Sequence, residues 1–118
     1  MIPRTKYRKA LKSIYGNSIP IGRYIGTMRA HDCDKNAWKN RKEYEVYVGY
    51  ILTKEPIPGY EYIIPHVFNV KNGKVYEFTR QSTTNIEYFG ESYKGRTLKD
   101  IWKAIPSPRE IANLAKRM

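Results

Sequence analysis

The chain has 118 residues, of which 41% are hydrophobic and 28% charged, and it carries one cysteine. That balance excludes a disordered chain, and the lone thiol excludes an internal disulfide framework. What remains is one globular domain, residues 1–118, in a reducing compartment. Lysine and arginine number 22 against 11 acidic residues, a net charge of +11, which suits a polyanionic or acidic partner.

"MIPRTKYRKALK" lacks the apolar core of a signal peptide, and no run of 18 apolar residues exists. The expected setting is the cytoplasm, with no membrane partner. The first helix is expected after Thr5 as N-cap. Tyr7, Ala10, Leu11, Ile14 and Tyr15 form one apolar stripe, and Gly16-Asn17 is the stop. "SIPIGRYIGTMRA" then reads as a loop or a short edge strand. A second helix begins near Asp32, with Cys33 in its first turn and Ala37 one turn on.

Tyr44, Val46, Val48, Tyr50 and Leu52 alternate as in a strand, and "TKEPIPGYE" reads as a surface loop. A hairpin follows, then a polar "RQSTTN" connection and the short strand "IEYFG". "TLKD" resembles a capping box opening a helix over about residues 98–105. "SPRE" opens another, with Ser107 as N-cap, Pro108 at N1 and Glu110 at N3. Trp38 and Trp102 are expected to anchor helix faces to the core. The order predicts an α+β domain: a small antiparallel sheet with a central hairpin, packed against N-terminal, cysteine-bearing and C-terminal helices.

"PHVFNVKNGKVYEFT" is the most informative stretch. Asn72-Gly73 predicts a two-residue type I′ turn, which sets Lys71 opposite Lys74. Counting outwards pairs Val70 with Val75, Phe68 with Glu77 and His66 with Thr79. All six of the last-named side chains then share one face. His66 and Glu77 become diagonal neighbours about 7 Å apart at the backbone, within reach of an imidazole–carboxylate hydrogen bond. A carboxylate beside a histidine fixes its tautomer and stabilises the imidazolium, which suits a general base; a structural polar pair has the same pattern.

Cys33 gives the pair a use. A thiol at a helix N-terminus beside a histidine suits a nucleophile, while the flanking Asp32 and Asp34 oppose the thiolate. The two groups need to meet only in space, for instance through a helix laid across the face that carries His66.

"CDKNAW", "YVGY", the hairpin and "YFG" together resemble a set of small, mostly phage- and bacterium-encoded proteins. Their pattern runs Cys-x-x-Asn-Ala, a Gly-Tyr strand, His-Ala-Trp, a turn, Asp-Pro-Thr and Tyr-x-Gly. The order of cysteine on a helix, histidine on a strand and acid on the next strand is similar to the papain-like and transglutaminase-like superfamily. The resemblance covers about residues 33–90. It implies a papain-like core with Cys33 as nucleophile, His66 as base and Glu77 as orienting acid. It also matches Asn36, Tyr50 and Thr79 to the positions around the oxyanion and substrate. His66-Val67-Phe68 departs from His-Ala-Trp, and Glu77-Phe78-Thr79 departs from Asp-Pro-Thr.

No cofactor or metal is implied. His31 and Cys33 lack a second Cys/His pair at zinc-ligand spacing, and His31 reads as an exposed loop residue. Two function classes follow. One is a cysteine-dependent hydrolase or acyl transferase acting on an amide, ester or thioester, with a protein or peptide among the substrates to consider, working in the host cytoplasm if phage-encoded. The other is a non-catalytic basic protein binding nucleic acid or an acidic host protein on the same fold.

Overall fold

The computed structural model describes residues 1–80 and 85–118. Its elements run α1 (Arg4–Tyr15), β1 (Ile21–Tyr24), α2 (Cys33–Lys39), β2 (Glu45–Ile57), β3 (Glu61–Lys71) and β4 (Lys74–Glu77). After these come β5 (Glu87–Ser92), a 3₁₀ helix (Leu98–Ala104) and α3 (Pro108–Lys116). The fold is α+β, but the sheet is mixed rather than antiparallel. Its strand order is β1-β4-β3-β2-β5, and β1 lies parallel to β4. The stretch read as a loop or short edge strand therefore supplies the one parallel pairing among the described residues, which a hairpin count cannot anticipate.

The central turn is as expected. Asn72 and Gly73 both take positive φ, 52° and 74°, and Lys71 faces Lys74 with Val70 opposite Val75. The ladder stops sooner than the register allows: its last pair is Asn69 with Tyr76, so neither Phe68 with Glu77 nor His66 with Thr79 is paired. "TKEPIPGYE" is not a loop throughout. Thr53–Ile57 continue β2, and only Pro58–Tyr60 form the turn. The register shifts between Leu52 and Ile57, an irregularity of the kind that lets Pro56 sit in a strand.

The helix starts divide by their chemistry. Ser107 accepts a hydrogen bond from the Glu110 N–H at 3.2 Å, as the box predicts. Thr5 is not a cap: α1 begins at Arg4 after Pro3, which sets an extended φ of −60°. "TLKD" opens a 3₁₀ helix, and Thr97 Oγ1 bonds the Asp100 side chain at 2.9 Å rather than capping a backbone N–H. The connection at 81–84 lies outside the described residues.

Two faces of the sheet carry different cores. On one, Tyr50 and Leu52 pack with Tyr7, Ala10 and Leu11 of α1 and Ile111 and Ala115 of α3. On that same face Val46, Val48 and Val67 pack with Ala37 of α2 and Ile101 of the 3₁₀ helix. The other face gathers Ile51, Phe68, Val70, Val75 and Tyr88, with no helical residue among them. A chain segment covers it instead. Ile19 bridges Tyr88 of β5, with its N–H 2.8 Å from the Tyr88 carbonyl, while Pro20 accepts from the Val75 N–H and Ile21 pairs Val75 of β4. Residues 19–21 thus link β4 to β5, the strand at the far edge of the sheet. Among the described residues, no helix is long and apolar enough to cross a membrane.

Candidate active site

Glu77 is the centre of the buried polar network. It is 1% exposed and accepts three hydrogen bonds. Oε1 takes His66 Nε2 at 2.6 Å and the Tyr88 hydroxyl at 2.7 Å, and Oε2 takes the Thr79 N–H at 3.1 Å. Its backbone carbonyl is clamped by the N–H groups of Ile25 and Gly26, so the loop after β1 fixes the end of β4. Burial alone would raise this carboxyl; the hydrogen bond and charge of His66, with Tyr88 and Thr79, outweigh it and hold the group below its ordinary value.

His66 lies on the second face of the sheet, among Phe68 and Tyr88. Its ring stacks on Phe68 at 6.0 Å and meets Tyr88 edge-on at 6.1 Å. Burial alone would lower the imidazole. Hydrogen bonds to Cys33 and Glu77, and the negative charge near it, prevail and push it up to about 9. With Nε2 committed to Glu77, Nδ1 is the ring nitrogen left for another partner.

Cys33 reaches the histidine by an unexpected route. α2 does not cross the face that carries His66: Ala37 packs with Val46, Val48 and Val67, whose side chains point the other way. Two ties place the helix beside the end of β4. Asn69 Nδ2 donates to the Ala37 carbonyl at 3.1 Å, and Asn36 Nδ2 donates to Thr79 Oγ1 at 2.8 Å. Since β4 has already stopped at Glu77, no β4 residue pairs with His66, and the first residue of α2 meets the imidazole there.

The flanking aspartates have other partners. Asp32 is 3.6 Å from the Arg29 guanidinium, and Asp34 accepts the Trp102 indole N–H at 3.1 Å. Trp102 does this from the surface, at 43% exposure, so it is not the core anchor the sequence suggests. Trp38 is half-buried against Tyr93, with Arg41 stacked on its outer face. His31 is exposed, as expected of a loop residue.

The three remaining residues separate. Asn36 is buried, and its amide donates to the Arg29 carbonyl and to Thr79, each at 2.8 Å; both N–H bonds are thereby committed to positioning. Thr79 links Asn36 to Glu77 and so ties the cysteine helix to the acid. Tyr50 is not brought to the site. It lies in the α1–α3 core, and its hydroxyl donates to the Pro106 carbonyl.

Tyr88 is the residue that sequence reasoning passed over. It is fully buried, and burial together with the Glu77 charge raises its phenol well above 10, so it stays a neutral donor. Its signal was present: a tyrosine two residues from Gly90 shares that glycine's face, and a buried phenol requires a partner. Gly49 stands between them in the sheet, opposite both His66 and Gly90, and Cβ atoms at these two glycines would collide with neighbouring backbone. Comparison with family models, curated proteins and solved structures returns no match for this chain.

Proposed function

We propose that Cys33, His66 and Glu77 form a catalytic triad and that the protein is a cysteine-dependent hydrolase or acyl transferase. The observation that carries this reading is the buried His66 imidazole held by Glu77 at 2.6 Å, with the chain's one thiol, Cys33, among the groups that raise it. The helix-then-strands order of these residues, which resembles the papain-like and transglutaminase-like superfamily, supports the same reading.

The chemistry follows from the parts. Sulfur attacks a carbonyl carbon while its proton rests on His66, and the carbonyl π-electrons move onto oxygen to give a tetrahedral oxyanion. Collapse of that oxyanion expels the leaving group, which takes the proton from His66, and leaves a thioester on Cys33. Water or an amine then attacks the thioester, His66 accepts its proton, and the sulfur departs. Glu77 holds the ring and offsets its positive charge throughout, and Tyr88 and Thr79 hold Glu77. The oxyanion is assigned to the backbone N–H of Cys33, because the Asn36 and Tyr50 side chains are committed elsewhere.

Iodoacetamide at neutral pH is expected to alkylate Cys33 in the wild type. In His66→Ala the rate should fall by about 100-fold, the lower end of the usual acid–base contribution. Equal rates in two proteins with native circular dichroism would remove the triad.

The charge of +11 favours a second reading, a non-catalytic protein that binds nucleic acid or an acidic partner. Lys9 and Lys12 on α1 and Lys35 and Lys39 on α2 are exposed. Binding to duplex DNA would then weaken steeply between low and moderate salt and be indifferent to Cys33→Ser. Binding insensitive to salt, or none, discards its nucleic-acid form.

A further inference from the structure

We propose that Tyr44, Tyr76 and Phe78 form a stacking platform for single-stranded nucleic acid, with the lysines of the β3–β4 turn holding its phosphates. The inference rests on the nucleic-acid form of the second reading above, and it holds whether or not Cys33 reacts.

The platform is assembled from two places in the chain. Val75 and Glu77 are buried towards the face that carries His66, so Tyr76 between them points to the opposite face. α2 ends at Lys39, and the turn after it is held by the Tyr44 N–H on the Asn40 carbonyl at 2.9 Å. That turn lays Tyr44 on the other two rings, its centroid 5.1 Å from Tyr76 and 5.3 Å from Phe78. β1 borders them at Gly22, where a Cβ would come 3.1 Å from the Tyr76 ring. All three rings are only half-buried, and none belongs to the hydrophobic clusters on the two faces of the sheet. Three adjoining aromatic side chains left at the surface have a role that core packing does not supply.

Charge selects the occupant. Lys71 and Lys74 stand directly opposite each other, an arrangement of like charges that costs stability and that an anion between them relieves. Lys71 Nζ lies 5.3 Å from the centre of the Tyr44 ring, so charge and stacking surface adjoin. Arg23, opposite Tyr76 on β1, and Lys42, two residues before Tyr44, are exposed beside them. Opposing charge is thin. Of the two acids flanking Tyr44, Glu45 accepts from Ser92 of β5, and Glu43 meets Lys71 only at 3.9 Å.

Phosphates suit the cations and bases suit the rings, and a single strand offers both. A duplex keeps its base faces stacked inside and presents phosphates alone. An acidic peptide has carboxylates but no row of flat faces.

On the full-length protein, fluorescence anisotropy measures binding of labelled oligothymidylate and of a duplex of equal length. Tyr44→Leu combined with Tyr76→Leu keeps apolar bulk and removes two flat faces. This variant should lose at least about tenfold in affinity for oligothymidylate and keep its duplex affinity within about twofold. Lys74→Gln should weaken both and flatten the salt dependence. No loss on oligothymidylate, an equal loss on the duplex, or displacement by polyglutamate as effective as by unlabelled oligothymidylate would each overturn the platform. The first two leave the nucleic-acid reading standing as diffuse attraction, whereas no binding to either nucleic acid ends both. The wild type supplies a check that the folding of a variant does not affect. Irradiated with an oligonucleotide carrying 5-iodouridine, it should crosslink at Tyr44, Tyr76 or Phe78, and crosslinks confined to other residues overturn the platform.

Discussion

Glu77→Ala is expected to destabilise the protein by about 3–5 kcal/mol, the range for removing one partner of a buried ion pair. Such a loss is a large part of a typical folding free energy of about 5–15 kcal/mol. The magnitude follows from what is left behind. His66, 5% exposed, would lose its counter-charge, and the Tyr88 hydroxyl and Thr79 N–H would lose their acceptors.

The difference from wild type should depend on pH with a definite sign. His66 is raised from 6.5 to about 9, so its contribution is complete below pH 6.5 and is lost as pH rises through about 9. Glu77 is depressed from 4.5, so its contribution is complete above pH 4.5 and is lost as pH falls through its lowered value. The pair therefore stabilises most between pH 4.5 and 6.5. Urea denaturation at pH 5.5, 7.5 and 9.5 should find the gap between the two proteins narrowing at each step. A gap that is constant or widens with pH would show that the imidazolium–carboxylate pair is not what the carboxylate contributes.

Gly49→Ala is expected to be the most damaging single methyl group that can be added to the sheet, at about 3 kcal/mol or more. Its φ is not positive, so the argument is one of space alone. A Cβ there would fall inside the Phe89 carbonyl oxygen and 2.5 Å from the Gly90 Cα, and neither backbone atom can rotate away. At Gly90 the obstruction is the Val48 carbonyl oxygen at 2.7 Å and the Phe68 ring at 2.9 Å. Thermal unfolding of Gly49→Ala beside Gly16→Ala separates space from conformation, because Gly16 has positive φ of 82° and nothing within 4 Å of its Cβ position. Similar losses in the two would refute the steric account.

Legibility in the sequence tracked how local the deciding interaction is. The Asn72-Gly73 turn and the Ser107 cap are settled within four residues, and both appear as read. The contact between His66 and Glu77 followed from the turn, because a period of two carries the register outwards without further information. What escaped was decided elsewhere in the chain. Pro56 argued against a strand, yet β2 passes through it with a register shift whose cause is pairing with β3. The parallel placement of β1 depends on β4 and on the bridge to β5, and no pattern in residues 18–30 encodes those partners. The cysteine helix was read correctly as a helix, but the face it covers was not. That choice rests on Asn69 and Asn36, two buried amides whose partners only the tertiary fold supplies. Tyr50 shows the converse case: its alternation marked it as a strand residue, while its hydroxyl partner, Pro106, lies 56 residues away.

The bridge at Ile19 also has a kinetic meaning. It joins an early segment of the chain to β5, so its closure is entropically expensive and belongs late in assembly, after the hairpin has formed from neighbouring residues. Late contacts of this kind are favoured places for partial opening from the native state. The tie between Ile19 and β5 is therefore expected to open more readily than the helix-covered cores. The Ile19 amide, bonded to the Tyr88 carbonyl, should then exchange with solvent faster than amides in the helix-covered cores.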